Sequence, residues 1–331
     1  MNLSRFREIT SRYTDLRIAI VGDYSCDRYL EIDPSKEEVS IETNLDVYNV
    51  TKVRAQPGAS GTVLSNLVAL GAGELWPVGF CGPDGEGFEL QRALKTLPGV
   101  HMDYFFESNQ QRTFTYCKPL VMDSDSPPRE LNRLDSKNWH LTPKPLQEQL
   151  AGAVHDLAKK VDAVIVLDQV NEPETGVVTQ NLLRTLNNIR DQTLIIGDSR
   201  RGLKDWPDII YKMNAAELTQ LTGQPEDLAE FACSHLAQET GQHVFVSRSE
   251  KGIIGASPNG EIQQRPALAV EDEIDVVGAG DAVMANLTAS LACGATIEEA
   301  LELSNAAASV VIHKLGTTGT ASIEEIQAKL A

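Results

Sequence analysis

Arg17-Ile-Ala-Ile-Val-Gly-Asp23 is an apolar run of strand length that stops at a glycine and a carboxylate, and the pattern recurs along the chain. Ala163-Val-Ile-Val-Leu-Asp168, Thr193-Leu-Ile-Ile-Gly-Asp198 and His243-Val-Phe-Val-Ser247 are continuous apolar stretches that end in Asp or Ser. Runs without polar alternation belong to strands covered on both faces, the habit of parallel sheets. Turns and amphipathic stretches separate them, so the rhythm from about residue 16 onward predicts an α/β sheet with helices on both faces. Ligands bind such sheets at the carboxyl ends of the strands, which makes those terminal polar residues candidate contacts. Each can equally well cap the turn or helix that follows it.

Two regions break the rhythm with alternating patterns: Tyr29-Leu-Glu-Ile with Asp46-Val-Tyr-Asn-Val-Thr-Lys-Val, and Arg112-Thr-Phe-Thr-Tyr-Cys-Lys-Pro-Leu-Val. They predict a small antiparallel sheet standing off the main body, a lid or a dimer surface, over segments of about 28–56 and 110–122. The polar stretch Asp33 to Asn44 reads as a mobile loop, and Asp123-Ser-Asp-Ser-Pro-Pro-Arg-Glu130 as an exposed turn. No internal repeat or low-complexity tract is present, and residues 1–331 are expected to form one domain.

The 331 residues are 42% apolar, enough for a large core, with a formal charge of -18 and a pI near 4.7. Lys and Arg are scattered, so nucleic acid and anionic membrane surfaces are not expected partners. Phosphate ligands are not excluded, because backbone amides and helix N-termini recognise them locally. Five cysteines without a CxxC pair argue against disulfide frameworks and zinc sites and fit a reducing cytoplasm. Leu3, Phe6, Ile9 and Tyr13 recur at helical spacing among polar residues, unlike a signal peptide, and no run has transmembrane length.

Asp275-Val-Val-Gly-Ala-Gly-Asp281 opens an apolar helix that runs toward Gly294. A glycine-bounded loop at a helix start gathers free amides and the positive end of the helix dipole, an anion hole. With a phosphoryl group there, Asp281 could take the proton of an attacking hydroxyl while the amides of Val277 to Gly280 steady the transferring charge. Read alone, Gly278 and Gly280 could as well make only a tight turn, with Asp281 a helix cap.

Other segments offer matching chemistry, each with a plainer alternative. Asn214-Ala-Ala-Glu217 starts an amphipathic helix after an apolar stretch; Asn214 could touch phosphate oxygens and Glu217 could hold Mg2+ through water, or the two could simply form a capping box. Ser247-Arg-Ser-Glu-Lys-Gly252 is a polar hairpin whose Ser247, Ser249 and Gly252 could meet a nucleotide or only turn the chain. Asn305, on a small-residue helix followed by Leu315-Gly-Thr-Thr-Gly319, could serve a ribose or adenine edge, or the helix could merely pack closely.

Together with Gly22-Asp23-Tyr-Ser-Cys-Asp27-Arg-Tyr29, these motifs resemble the PfkB/ribokinase family of carbohydrate kinases from about residue 16 to 326. The similarity extends to the kinase domain of the heptose-7-phosphate kinase/ADP-heptose synthase group, in the Gly-Asp-x3-Asp-Arg-Tyr start and the Asn305-Ala-Ala-Ala-x-Val-Val ending. The resemblance implies a ribokinase-like three-layer αβα sandwich with a small β lid, ATP and Mg2+, and a homodimer formed through the lids. It implies Asp281 as general base, Gly278, Ala279 and Gly280 as anion hole, and Asn214 and Glu217 serving phosphate and Mg2+. Asp27 would hold a hydroxyl of a sugar or sugar phosphate, Gly58 would sit against the sugar, and Arg112 is a further substrate candidate. Asp275, with backbone near Gly316, would bind a monovalent cation such as K+.

Departures from the family pattern bear on the acceptor. Gly58-Ala-Ser-Gly-Thr62 stands where the family has a glycine pair followed by asparagine, so Thr62 replaces a side chain that reads sugar hydroxyls. Val276 replaces a threonine of the catalytic loop, and Ser35 to Val50 differs from the heptose enzymes. The chain ends before a nucleotidyltransferase domain, so a kinase alone is expected. A kinase of nucleosides or other small alcohols, or an inactive ligand-binding member of the fold, are the alternatives.

Overall fold

A computed structural model describes residues 1–123, 127–270, 273–316 and 318–330. Its main sheet runs in the order Ile262–Arg265, Ile253–Ala256, Val244–Ser247, Ile210–Asn214, Leu194–Ser199, Ala163–Asp168, Arg17–Gly22, Glu74–Cys81, Phe105–Glu107. Pairing is parallel except at the edge formed by Val244–Ser247, Ile253–Ala256 and Ile262–Arg265, where hairpins make it antiparallel.

Successive residues of a strand face opposite sides, and here both sides are apolar. Ile18, Ile20, Ile165 and Ile196 enter one core with Leu64, Leu67, Leu287 and Leu301. These leucines come from helices Ser60–Ala69, Ala279–Ala292 and Ile297–Ile312. Ala19, Val21, Val164 and Val166 enter the other core with Leu150, Leu182 and Leu236 of helices Lys144–Leu157, Gln180–Ile189 and Ala229–Thr240. Two cores around one sheet make the three layers that unbroken apolar strands predict. The N-terminal spacing forms helix Leu3–Thr10, which buries Phe6 and Ile9, while Tyr13 is buried in the short turn after it.

The lid leaves from the carboxyl end of Arg17–Gly22. Strand Tyr24–Ile32 follows it with only Asp23 between, and pairs antiparallel with Val50–Ala59 and parallel with Phe114–Val121. Leu134–Ser136 and Arg129–Glu130 pair with Phe114–Val121. The lid is therefore mixed rather than wholly antiparallel. Tyr24–Ile32 and Phe114–Val121 both follow parallel strands of the main sheet, Arg17–Gly22 and Phe105–Glu107, so they depart in the same sense. The lid strands also begin before residue 28 and end beyond residue 56, because pairing continues down to Tyr24 opposite Ala59.

Within the stretch read as a mobile loop, Pro34–Lys36 forms a helical turn and Glu38–Val39 pairs with Asp46–Val47. Of the loop Asp123 to Glu130, residues 124–126 lie outside the described residues. The hairpin exposes apolar side chains, Ile41 at 98% and Leu45 at 68%, beside exposed Val39, Val50 and Val53.

Candidate active site

The loop read as decisive ends on a glycine in the left-handed region: Gly278 has φ 85°, and it turns the chain into helix Ala279–Ala292. Asp281 lies in the first turn of that helix. Among the described residues, the amides of Gly278, Gly280 and Asp281 have no protein acceptor. Two other amides of the expected hole are engaged. Val277 donates to Asp275 Oδ1 at 3.0 Å, and Ala279 donates to the Val276 carbonyl at 3.3 Å. The turn is too tight to leave every amide free, so the amides without a protein acceptor at this helix start narrow to Gly278, Gly280 and Asp281.

Asp281 is partly buried, and burial pushes its carboxyl up to about 7, with Asp198 and Asp27 adding to the rise and Lys212 and Arg200 opposing it. Lys212 rises from the strand Ile210–Asn214 and pairs with Asp198 at the end of the neighbouring strand. Its ammonium lies 3.3 Å from where a Gly280 side chain would begin, so a larger residue there would press on it. Burial opposes the charge of Lys212, but Asp198, Asp281 and Glu217 raise its pKa.

Asn214 caps helix Ala215–Thr222. Its Oδ1 accepts from the Glu217 amide at 2.9 Å, while Glu217 Oε2 accepts from the Asn214 amide at 2.7 Å. The plainer reading of this pair, a capping box, is present. Burial raises the Glu217 pKa.

A cavity of about 400 Å³ opens beside the loop, lined by Asn214, Ser247, Ser249, Gly252, Ala279, Gly280 and Asn305 among others. Leu268, Ile274, Val276 and Ile312 make its apolar walls. Segments far apart in sequence thus converge on one cleft, which is within the size range of small-molecule sites. The hairpin reading of Ser247 to Gly252 holds: Val244–Ser247 and Ile253–Ala256 pair antiparallel across it. Gly252 has φ 84°, and a side chain there would meet the Arg265 carbonyl at 2.0 Å. Asn305 Nδ2 donates to the Pro266 carbonyl at 2.6 Å, which ties the cleft wall to the following loop.

Across the crevice, Asp27 is buried on the lid strand and its Oδ1 accepts from Ser25 Oγ at 2.8 Å. Gly58 pairs opposite Ser25, and a Cβ there would fall 2.0 Å from Asp27 Oδ1, so any side chain at 58 would collide with the carboxylate. Burial raises the Asp27 pKa, and Ser25, Lys118, Arg133 and Arg200 oppose that rise. Thr62 is buried in the helix that follows Gly58. Arg112 is exposed and its field falls on Asp84; its backbone is clamped at both ends by Asn138 at 2.9 Å. No contact brings it to Asp27. The cations whose charge opposes the rise at Asp27 are Lys118, Arg133 and Arg200.

Those three and Lys212 were not found in the sequence, since they stand in no motif and only strand order gathers them. A buried brace was missed as well. Asp23 accepts from the amides of Gln169 at 2.8 Å and Val177 at 2.7 Å, and Asp168 accepts from Ser199 at 2.8 Å and Arg201 at 2.7 Å. It fixes the end of strand Leu194–Ser199, which carries Asp198, and the turn after it, which carries Arg200.

A doubly wound sheet with a β lid over its carboxyl ends, a carboxylate on an amide-rich helix start and a cleft beside it define a ribokinase-like kinase. The chain belongs to the pfkB family of carbohydrate kinases, whose family model matches residues 25–324. It is 30% identical to the bifunctional protein HldE of Azorhizobium caulinodans over 91% of this chain and 61% of that one. It is 29% identical to that of Gluconacetobacter diazotrophicus over 96% of this chain and 64% of that one. The chain thus spans less than two thirds of the length of these relatives. Phosphofructokinase-2 of Escherichia coli, solved with substrates and products, superposes with a TM-score of 0.71 at 19% identity, over 95% of this chain and 97% of that one. Ribokinase of Arabidopsis thaliana, solved with ribose and ATP, gives 0.67 at 18% over 95% and 98%. The two structures bear on the fold alone.

Proposed function

We propose that residues 1–331 form one kinase unit that transfers the γ-phosphoryl group of ATP to a hydroxyl of a sugar or sugar phosphate, with Asp281 as general base. The observation that carries this is the placement of Asp281 in the first turn of a helix whose opening amides have no protein acceptor among the described residues and whose Ala279 and Gly280 line the cleft with Asn214, Ser247, Ser249, Gly252 and Asn305. In this reading the adenosine lies against the apolar walls and the phosphates reach the helix start. Asp281 takes the hydroxyl proton as the hydroxyl oxygen bonds to the γ-phosphorus and the bond to the bridging oxygen breaks, releasing ADP. The amides of Gly278 and Gly280 steady the charge on the transferring group. Asp27, with Gly58 and Thr62 beside it, orients the acceptor.

ATP brings Mg2+, which neutralises phosphate charge. The described residues contain no cluster of three metal-ligating side chains, which suits an ion held mainly by phosphate and water. Glu217, with one carboxylate oxygen outside the capping box, would meet that ion through water, and Asn214 would touch phosphate. Asp275 keeps one oxygen beyond its bond to Val277 and could hold K+ with nearby carbonyls; E. coli phosphofructokinase-2 has been solved in complex with potassium. The exposed apolar hairpin around Ile41 and Leu45 supports a homodimer built on the lids. All five cysteines are buried and unpaired, which fits the cytoplasm, and no described helix is long and apolar enough to cross a membrane. The acidic chain fits neither nucleic acid nor anionic membranes as partners.

The test is ADP release with Mg-ATP and a panel of sugars and sugar phosphates. Turnover of at least one acceptor is expected. No turnover with any, in a folded protein that binds ATP, would favour an inactive ligand-binding member.

A further inference from the structure

Asp23 is the single residue between the main-sheet strand Arg17–Gly22 and the lid strand Tyr24–Ile32, and it is buried. Gly22 pairs with Leu167, so the next residues, Asp23 and Asp168, stand side by side, and the Asp23 amide donates to the Leu167 carbonyl at 3.3 Å. Its carboxylate spans the loop that leaves the neighbouring strand: Oδ2 accepts from the Gln169 amide and Oδ1 from the Val177 amide. Its carbonyl accepts from the Ser60 amide at 3.0 Å, where the lid strand Val50–Ala59 returns to the main body. One residue thus ties together the departure of one lid strand, the return of another and the crevice floor at 169–177.

The surroundings are shaped to receive that carboxylate. A side chain at Gly176 would begin 2.3 Å from Asp23 Oδ1, and one at Gly22 would meet the Leu167 carbonyl at 2.3 Å and Ser60 Oγ at 2.5 Å. Thr142 holds the floor loop from behind: its hydroxyl donates to the Gly176 carbonyl and its amide to the Glu174 carbonyl, both at 2.7 Å. The arrangement is not the most stable one available. Burial and then the charge of Asp168 push the Asp23 carboxyl up to about 7, against the two amides and Arg201. Asp168 Oδ1 is buried and has no hydrogen-bond partner among the described residues. An uncharged residue at 23 would avoid two buried carboxylates side by side. Carboxyls perturbed in this way cluster where geometry serves a function.

The geometry served here is that of the acceptor side. Ser25 and Asp27 follow on the same strand, and Gly58 stands two residues before Ser60. Burial raises the Tyr116 phenol on the lid, with Arg200 opposing and the charges of Asp23 and Asp27 both adding to the rise. Of Asp23, Ser60, Gln169, Gly176 and Val177, none lines the cleft of about 400 Å³.

We infer that Asp23 is a positioning residue for the acceptor: it fixes lid and crevice floor relative to each other, so that Asp27 holds an acceptor whose hydroxyl stands at Asp281. The inference rests on the kinase reading above and goes beyond it, because Asp23 acts through Asp27 and Gly58. A lid base that shifts carries Asp27 with it, and misplacing a reactant by about 1 Å costs roughly 100-fold in rate.

The test pairs Asp23→Asn with Gly176→Ala. Asparagine keeps one acceptor but turns its own N–H groups toward a backbone N–H, so one of the two bonds is lost. Alanine at 176 leaves every bonding group in place and presses a methyl on Asp23 Oδ1, so it decides the matter if Asp23→Asn fails to fold. Rates are measured with Mg-ATP and the panel above, ribose and fructose and their terminal phosphates included, per ATP-binding site so that unfolded protein is not counted. For the best acceptor, kcat/KM should fall about 10- to 100-fold in each variant while the ATP dissociation constant stays within about twofold. The double variant should lose no more than the worse single, because both act on one contact. A change in kcat/KM under about twofold in both variants, or an equal weakening of ATP binding, would make Asp23 a fold residue only and overturn the inference.

Hydrogen exchange separates the inference from the kinase reading. Amides of Tyr24–Ile32, Val50–Ala59 and 169–177 should exchange at least about 10-fold faster in Asp23→Asn, while those of Val244–Ser247 keep their rate. If the unaltered protein turns over no compound, the kinase reading falls and this pattern alone decides. Faster exchange confined to lid and floor then upholds Asp23 as the tie between them, and exchange unchanged or raised equally throughout overturns it.

Discussion

Asn214 and Glu217 hold each other across the first turn of one helix, each side chain accepting from the other's backbone amide, at 2.9 and 2.7 Å. Capping uses Asn214 Oδ1 and one Glu217 oxygen, and leaves the Asn214 amide group and the second Glu217 oxygen for a ligand. A structural role and a ligand role therefore coexist, and substitution separates them. Glu217→Gln retains an acceptor for the Asn214 amide, so stability should stay within about 0.5 kcal/mol while the Mg2+ concentration needed for activity rises. Glu217→Ala should lose about 1 kcal/mol in urea unfolding as well. Unchanged Mg2+ dependence in Glu217→Gln would leave the pair a cap only.

Ala59 marks the base of the lid with φ 53° and ψ -119°, a backbone conformation that suits glycine, just before helix Ser60–Ala69. Here the family's glycine pair reads Gly58-Ala59. Relief of the strain should outweigh the extra entropy of glycine in the unfolded chain, so Ala59→Gly should stabilise by about 1 kcal/mol. Chemical denaturation reads this directly, and a destabilised variant would show that the conformation is not strained.

The raised pKa of Asp281 makes a stability prediction of definite sign. A carboxyl that titrates near 7 in the folded chain and near 4 when unfolded stabilises least when ionised. Its cost is absent below about pH 4, grows through the interval and is complete above about pH 7. Asp281→Asn should therefore melt higher than the unaltered protein at pH 8 and the same at pH 4. On the activity side, kcat/KM of the unaltered protein should rise with pH through about 7 as the base deprotonates.

Ile41, at 98% exposure, and Leu45 stand on the small hairpin beyond the lid strands. If lids meet in a homodimer, Ile41→Asp with Leu45→Asp should convert the sedimenting species from dimer to monomer without lowering the melting temperature of the monomer unit. A monomer before substitution would remove the lid dimer from the account.

The main sheet was legible because its strands are buried on both faces and so lack polar interruption: Ala163–Asp168 is found as read, and Leu194–Ser199 lies one residue along from the reading. The lid's alternation was visible too, but alternation is the same in parallel and antiparallel pairs, so the parallel match of Asp27 with Tyr116 was not. Motif-bearing loops announced Asp281, Asn214 and Gly252. Lys212, Arg200, Lys118 and Arg133 had no local signature. Their meaning comes from strand order, which sets Lys212 beside Asp198 and turns Lys118 to the crevice. Arg112, which precedes strand Phe114–Val121, was legible as a cation near the lid, but the hold of Asn138 on its backbone and the proximity of its charge to Asp84 were not.

The central claim is that Asp281 removes the acceptor's proton. The most direct measurement is single-turnover phosphoryl transfer from labelled ATP to the best acceptor by Asp281→Asn, with ATP affinity measured alongside. The predicted result is a fall of about 10³-fold or more in the transfer rate, with ATP affinity within about threefold of the unaltered protein. A rate within about tenfold of the unaltered protein would contradict the claim.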